Sequence, residues 1–227
     1  MSLSLVLALA LLGGLVGLDV VSFPQAMISR PIVAATLGGA LLGRPVDGML
    51  MGVVLELLAL ETLPVGAAWY PEWASAAVVG GALFASRAVP QAGSLALAML
   101  AAVITAWAGG WTMQSVRRLN GLWARRNLSS IDAGNAGTVL NLQVRGLLAD
   151  FLRGALLTGI AVAIFQPAMI ALLQRWHLSA GDSMAVAIGI ATAVAASAAW
   201  RRSRAAPGAP WYLVGGLAIG LAALVLL

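Results

Sequence analysis

Long apolar runs separated by short arginine clusters are the feature that most constrains how this chain folds. Only 9% of its 227 residues are charged, against about 25% in a soluble domain, and its mean hydropathy is +0.96. A helix needs roughly 20 apolar residues to cross a bilayer. The sequence therefore predicts an all-α integral membrane protein with about six spanning helices, at residues 3–20, 74–88 (short), 91–113, 154–175, 183–200 and 211–227.

Several function classes are excluded by what the chain lacks. It has no cysteine, which rules out disulfides, thiolate catalysis and cysteine-based metal sites, and its one histidine is His177. We therefore expect no metal, no cofactor and no phosphoryl carrier on this chain. The net charge of +5 comes from arginines scattered between apolar runs, so we expect no nucleic-acid binding. The N-terminal run lacks the basic segment of a signal peptide and is interpreted as a retained span.

Residues 31–60 differ from the other apolar segments. Two runs of about 13 residues, 31–43 and 48–60, flank the sequence "GRPVDG". Each run covers roughly 20 Å as a helix, too little for a hydrocarbon core of about 30 Å. We therefore predict a re-entrant helical hairpin within a single membrane-embedded domain, 1–227. Broken segments of this kind mark binding sites in transporters.

Glycines recur through the hairpin at the G-x-x-x-G spacing that lets helices approach closely. The spacing predicts tight packing of its two arms through Gly39, Gly43, Gly48 and Gly52. Two further pairs, Gly13/Gly17 and Gly216/Gly220, have no polar neighbours. We expect them to pack against other helices, some of them from another chain.

Glu56 and Glu61 lie inside or at the edge of the second short run. An ionisable group at membrane depth costs at least about 2.5 kcal/mol and usually serves a site. Both are therefore candidate ligand-binding residues. The alternative is a structural ion pair with an arginine, for which Arg30 and Arg44 are the candidates.

The stretch "PVGAAWYPE" follows the hairpin. Gly66 and Ala67 have tiny side chains that leave backbone groups open to a ligand, and Glu72 is either a further ligand or a solvated loop carboxylate. Carboxylates beside Trp69 and Tyr70 suit a polyhydroxylated ligand, although the same set could bind a cation.

The arginine clusters predict the topology. Arginine-rich short loops stay in the cytosol, which places 117–126 and 201–204 inside and His177 outside. Residues 117–153 show helical spacing of apolar residues beside arginines, interrupted by "SSIDAGNAG". We expect two amphipathic helices there, on the cytosolic side.

The hairpin motif resembles the signature of the IIC membrane subunits of the mannose/fructose/sorbose family of the phosphoenolpyruvate-dependent sugar phosphotransferase system. "QAMISRPIVAATLGG", from Gln25, is similar to the family's Gln-then-Arg-Pro segment, and Arg153 at the start of a span also fits. Gln25 and Glu72 are further, weaker candidates for the same binding site as Glu56. The chain departs from the pattern at Arg44, Val53, Val54 and Pro64, and matches it at Gly39, Gly43, Gly48, Met49, Leu50, Gly52, Leu55 and Glu56.

This resemblance implies a sugar-binding and translocating subunit of the bacterial cytoplasmic (inner) membrane. Such a subunit pairs with a IID membrane subunit, and soluble IIA and IIB proteins carry phosphoryl groups to a hexose-type sugar. It also implies an elevator-like movement in the lipid bilayer, a trimer of IIC–IID pairs and no enzymatic activity of the chain on its own. Two alternatives remain open: a secondary transporter or channel without phosphorylation, and a non-transporting membrane scaffold or receptor.

Overall fold

The protein is all-helical in the part of the chain that the structure describes. The computed structural model describes residues 1–60, 68–86, 93–204, 207–208, 211–212, 214–216 and 218–219. The predicted all-α class is confirmed for these residues. The helices are α1 (Leu3–Asp19), α2 (Pro31–Ala40), α3 (Pro45–Ala59), α4 (Trp73–Ala85), α5 (Ser94–Arg126), α6 (Leu128–Asp132), α7 (Ala136–Leu173) and α8 (Ala180–Ser203).

Helices α2 and α3 form a helical hairpin, and the chain reverses at the start of the sequence "GRPVDG" and not at its Asp-Gly end. Pro31 and Pro45 each occupy the first turn of their helix, where a missing N–H costs nothing. Asp47 consequently lies in the first turn of α3. The reversal is made by residues 41–44, in which Gly43 has a positive φ of 72° that favours glycine.

The remaining hairpin glycines allow backbone contact between the two arms. A Cβ atom at Gly39 would lie 2.8 Å from the Cα of Gly48, and one at Gly52 would lie 2.7 Å from the Cα of Ile32. Both distances are shorter than side-chain atoms tolerate. Gly43 differs, because a Cβ there would meet nothing within 4 Å.

Helix α4 lies at the centre of the molecule and contacts α1, α2, α3, α5 and α7. Its residues 74–85 are all buried. At 13 residues it is about 20 Å long, shorter than the predicted span 74–88, and residues 87–92 lie outside the described part. Small residues bring its neighbours close: a Cβ at Gly81 would lie 2.7 Å from the Cα of Ala35.

Helices α5 and α7 are longer than the sequence suggested. The expected span and the amphipathic helix after it form one helix of 33 residues, α5, because nothing between Trp111 and Arg126 breaks it. The second amphipathic helix likewise continues into the next span as α7, 38 residues long, with Pro167 inside it. The predicted break is present, since Asn135 caps α7 by accepting a hydrogen bond from the N–H of Thr138 at 3.0 Å.

Helix α1 packs along α7. A Cβ at Gly154 would lie 2.7 Å from the carbonyl oxygen of Gly13, and one at Gly17 would lie 3.3 Å from the Oγ of Ser75 on α4. The Gly13/Gly17 face therefore contacts helices of the same chain. A Cβ at Gly216 would meet nothing within 4 Å, and Gly220 lies outside the described residues.

Three of the described helices, α5, α7 and α8, are long and apolar enough to cross a membrane, while α1, α2 and α4 are shorter apolar helices. Most of the predicted span 211–227 lies outside the described residues. The total of six spans and the depth of the hairpin in the bilayer stay predictions.

Candidate functional site

Glu56 links the two arms of the hairpin at its open end. It lies on α3, and its carboxylate forms an ion pair with Arg30 immediately before α2. Its Oε2 also accepts a hydrogen bond from the N–H of Ile32 at 3.3 Å, in the first turn of α2, where the helix dipole favours a negative charge. The Glu56 side chain keeps 19% of its surface exposed. It is therefore half-buried and still reachable.

The other candidate partner, Arg44, pairs elsewhere. Its Nε lies 2.7 Å from Oδ2 of Asp47, at the turn end of the hairpin. About twelve residues of α3 separate that end from Glu56, roughly 18 Å at 1.5 Å per residue. The sequence offered two arginines as partners of Glu56. Of these two, Arg30 forms the ion pair with it and Arg44 does not.

A cavity of about 140 Å³ opens beside Arg30. It combines one cation, two hydroxyl groups and two aromatic rings, which is the set of groups that recognises polar ligands with apolar faces. We call it the Arg30 cavity; its lining includes Ser29, Arg30, Ala59, Tyr70, Pro71 and Trp73.

Three of the predicted site residues lie outside the part of the chain that the structure describes. Glu61, Gly66 and Ala67 belong to the segment 61–67, as does Pro64. This segment connects α3, whose last residue Ala59 lines the Arg30 cavity, with Ala68.

Gln25 lies in the exposed loop after α1, with a positive φ of 59°. Its Nε2 donates to the carbonyl oxygen of Val21 at 2.9 Å, and it is not among the residues lining the Arg30 cavity. The loop is organised by Asp19, whose carboxylate accepts from the N–H groups of Ala26 at 2.5 Å and Ser29 at 2.8 Å.

Glu72 is fully buried, so the alternative of a solvated loop carboxylate is wrong. Its Oε1 caps α4 by accepting from the N–H of Ser75 at 3.0 Å, and its Oε2 lies 3.5 Å from Nη1 of Arg153. Its own N–H donates to the carbonyl oxygen of Ala106 on α5 at 2.8 Å. A carboxylate held in this way supports the wall beside the Arg30 cavity and is closed to solvent in this structure.

Sequence reasoning missed the charged network around Arg153. The Nε of Arg153 donates to Oδ1 of Asp150 at 2.8 Å, and Oδ2 of Asp150 accepts from the hydroxyl of Ser22 at 2.8 Å. The sequence distinguishes Arg153 only by its position at the start of a span. A systematic search for carboxylates beside apolar runs, the signal that identifies Glu56, would also have found Asp19 and Asp150.

The aromatic segment 68–70, before α4, contacts α5 through hydrogen bonds and ring packing. Arg117 donates to the carbonyl oxygen of Ala68 at 3.1 Å and to the hydroxyl of Tyr70 at 2.7 Å, and its guanidinium lies 5.2 Å from the centre of the Tyr70 ring. Trp69 packs on Trp107 with ring centroids 4.6 Å apart. These contacts fix Tyr70 against the Arg30 cavity.

In chemical terms the Arg30 cavity offers hydrogen-bond donors, a nearby carboxylate acceptor and flat apolar rings. Among the described residues, no three histidine, aspartate or glutamate side chains group closely enough to hold a metal ion. The arrangement is suited to reversible binding of a polar organic ligand.

Comparison with known proteins identifies the family. Residues 3–215 match the family model described as the PTS system sorbose-specific IIC component. The chain is also 39% identical over 75 residues to the fructose permease IIC component of Bacillus subtilis (strain 168), a match that spans 32% of this chain and 28% of that relative.

Solved structures share the fold. A structure described as a membrane protein has a TM-score of 0.76 at 20% identity, over 100% of this chain and 94% of that one. The mannose transporter ManYZ, determined in complex with microcin E492, has a TM-score of 0.63 at 20% identity, over 97% of this chain and 87% of the matched chain.

Proposed function

Because the chain belongs to the family of sorbose-specific IIC components of the phosphotransferase system, we propose that it binds a hexose-type sugar and moves it across the bacterial cytoplasmic membrane as a multi-pass subunit. The observation that carries this proposal is the ion pair between half-buried Glu56 and exposed Arg30 at the open end of the hairpin, beside a cavity with two aromatic rings. A carboxylate such as Glu56 within an apolar segment commonly marks a substrate pathway in membrane proteins.

The proposed binding mode follows from the groups around the Arg30 cavity. Arg30 donates hydrogen bonds to sugar hydroxyls, and the neighbouring Glu56 accepts them. The rings of Tyr70 and Trp73 cover the apolar C–H face of the sugar. Bonds to a charged partner are worth about 1.5–3 kcal/mol each, enough to define the orientation of a small ligand.

The remaining candidates are assigned by their position. Glu61, Gly66 and Ala67 belong to the segment that leads from α3 toward Tyr70, and we assign them to the same site as further acceptors and open backbone groups. Gln25 is a candidate contact from the loop after α1. Glu72 supports the site through its ion pair with Arg153.

Phosphorylation is proposed to depend on other chains. The sequence has one histidine and no cysteine, and we assign the phosphoryl carriers to soluble IIA and IIB proteins. We further propose a IID membrane subunit as partner, a trimer of IIC–IID pairs and an elevator-like movement of the hairpin-containing core. The fold that the chain shares with a structure of the mannose transporter ManYZ supports the pairing with a second membrane subunit.

The test is sugar uptake by cells that lack their own phosphotransferase permeases. The chain is co-expressed with the IID, IIA and IIB proteins of one such system, and the cells receive labelled L-sorbose, D-fructose or D-mannose. We expect accumulation of the phosphorylated form of at least one sugar, dependent on IIB. Absence of uptake of all three sugars, with the chain present in the membrane, would refute the proposal.

The second candidate is a secondary transporter or channel. It is favoured by the departures from the family pattern at Arg44 and Val53. In the same assay it predicts that the free sugar accumulates or equilibrates without IIA and IIB. The chemical form of the internal sugar therefore separates the two functions.

A further inference from the structure

Helix α5 is longer than the hydrocarbon core of a bilayer. Its apolar first part, residues 94–113, covers about 30 Å at 1.5 Å per residue, which equals the thickness of that core. When this part crosses the membrane, residues 114–126 lie in the headgroup layer and beyond it. That end of the helix contains four arginines and no acidic residue.

A groove of about 470 Å³ runs along this end of α5. We call it the arginine groove; its lining is Gln114, Arg117, Arg118, Gly121, Leu122 and Arg125. Residues 114, 118, 122 and 125 follow helical spacing and therefore share one face. Gly121 places no side chain in the groove, and a Cβ built there would meet nothing within 4 Å.

Two of the cations in the groove lack a protein partner. Arg118 and Arg125 are exposed and form no ion pair or side-chain hydrogen bond with any residue that the structure describes. Arg117 differs, since it donates to Ala68 and Tyr70. The two unpaired guanidinium groups start about 10 Å apart along the helix. They attract an anion, and arginine is well shaped for phosphate.

The same face continues as an apolar stripe on the membrane side of the groove. Leu100, Ile104, Trp107 and Trp111 lie at helical spacing from Arg118, and they are between 47% and 66% exposed. Tryptophan is enriched where the hydrocarbon core meets the headgroups. A ligand that matches the whole face carries a negative group at the arginines and hydrocarbon along the stripe. An anionic phospholipid has this arrangement, whereas a free phosphate or an acidic protein surface would use the arginines only.

We propose that the arginine groove binds an anionic phospholipid, with the phosphate and outer headgroup between Arg118 and Arg125 and the acyl chains along residues 100–111. The bound lipid lies next to the segment 68–70, which Arg117 holds against α5. Tyr70 of that segment lines the Arg30 cavity. The lipid site does not depend on the identity of the transported sugar.

The test is the lipid affinity of the full-length chain purified in detergent. Native mass spectrometry during titration with dioleoylphosphatidylglycerol or dioleoylphosphatidylcholine gives a dissociation constant for the first molecule of each lipid bound. We expect the wild type to prefer phosphatidylglycerol at least about tenfold, and Arg118→Gln/Arg125→Gln to lose this preference at roughly fivefold per arginine. The matched control is Arg126→Gln/Arg145→Gln, which removes the same charge at exposed positions outside the groove and should keep the preference.

A second variant distinguishes a shaped site from general attraction to positive charge. Gly121→Leu fills the groove without changing the charge and should also reduce the preference. Gly189→Leu on α8, where a Cβ likewise meets nothing within 4 Å, should not. Equal affinities of the wild type for both lipids overturn the proposal. Full preference in either groove variant, or an equal loss in the two double arginine variants, also overturns it.

Two further results would identify a different occupant and would equally overturn the lipid site. Displacement of phosphatidylglycerol by inorganic phosphate at the same concentration would show a site for the free anion. Unchanged lipid affinity in Arg118→Gln/Arg125→Gln, together with loss of binding to a soluble IIB protein, would show a docking surface for that protein.

Discussion

Arg153 and Glu72 face each other inside the protein, with Nη1 of Arg153 3.5 Å from Oε2 of Glu72 and their side chains only 3% and 0% exposed. Asp150 shares the same guanidinium at 2.8 Å. One buried cation thus balances two carboxylates, and it connects α7 with the N-terminus of α4. This connection positions the segment that carries Tyr70 and Trp73 beside the Arg30 cavity.

Removing the shared cation should therefore destabilise the fold strongly. Arg153→Met leaves two buried carboxylates unpaired, and breaking a buried ion pair costs about 3–5 kcal/mol. We expect a large drop in the thermal unfolding midpoint of the detergent-purified chain. Arg145→Met, at an exposed position on the same helix, should change it little. Equal midpoints for the two variants would show that the network contributes no stability.

Gly52→Leu should prevent the two arms of the hairpin from packing. A Cβ at Gly52 would lie 2.7 Å from the Cα of Ile32, so a larger side chain must push α2 away from α3 and disturb the Arg30–Glu56 pair. We expect loss of sugar uptake although no ligand contact is removed. Val53→Leu, on the exposed side of α3, is the control. Normal uptake by Gly52→Leu would contradict close packing of the arms in the working transporter.

Gly81→Ala tests the packing of the central helix. Its added methyl group would lie 2.7 Å from the Cα of Ala35, and two backbones must separate to admit it. We expect a lower unfolding midpoint. Gly189→Ala on α8 meets nothing within 4 Å and should be neutral or stabilising by up to about 1 kcal/mol, because alanine favours the helix. The opposite order of midpoints would contradict this packing.

Glu56→Gln should weaken sugar binding roughly ten- to a hundredfold. The change keeps the shape of the side chain but removes its charge. Hydrogen bonds to a charged acceptor are worth about 1.5–3 kcal/mol, and about 1.4 kcal/mol corresponds to a tenfold change in the dissociation constant. Equilibrium dialysis measures the effect. Asp47→Asn, which breaks the Arg44 pair at the other end of the hairpin, should leave the affinity unchanged. An unaltered affinity in folded Glu56→Gln would identify the carboxylate as a structural partner of Arg30 only.

The arginine clusters predict which ends of the long helices face the cytosol. The chain has no cysteine, so single cysteines can report the topology directly. Leu128→Cys and Leu178→Cys stand at positions that are 55% and 51% exposed. With a membrane-impermeant thiol reagent on whole cells, we expect labelling at 178 and protection at 128. The reverse pattern would invert the orientation.

Much of the architecture could be predicted from local sequence. Pro31 and Pro45 are the first residues of the two hairpin helices, because proline is favoured at a helix start. Glu56 is identified as a candidate because a charge in an apolar run is costly wherever the run lies. The merging of span and amphipathic helix into α5 was not predicted, since a change in polarity along a helix does not end it.

Local sequence is enough to predict the helical class, the helical hairpin and the charged residue Glu56 in its second arm, because these follow from hydropathy and from the backbone preferences of proline and glycine. The ion-pair partners of the charged residues depend on how distant segments pack. This packing pairs Glu56 with Arg30 instead of Arg44, and it buries Glu72 against Arg153. The physical reason is that hydropathy reports how apolar a segment is, whereas ion pairs form between helix ends that meet only when distant segments pack.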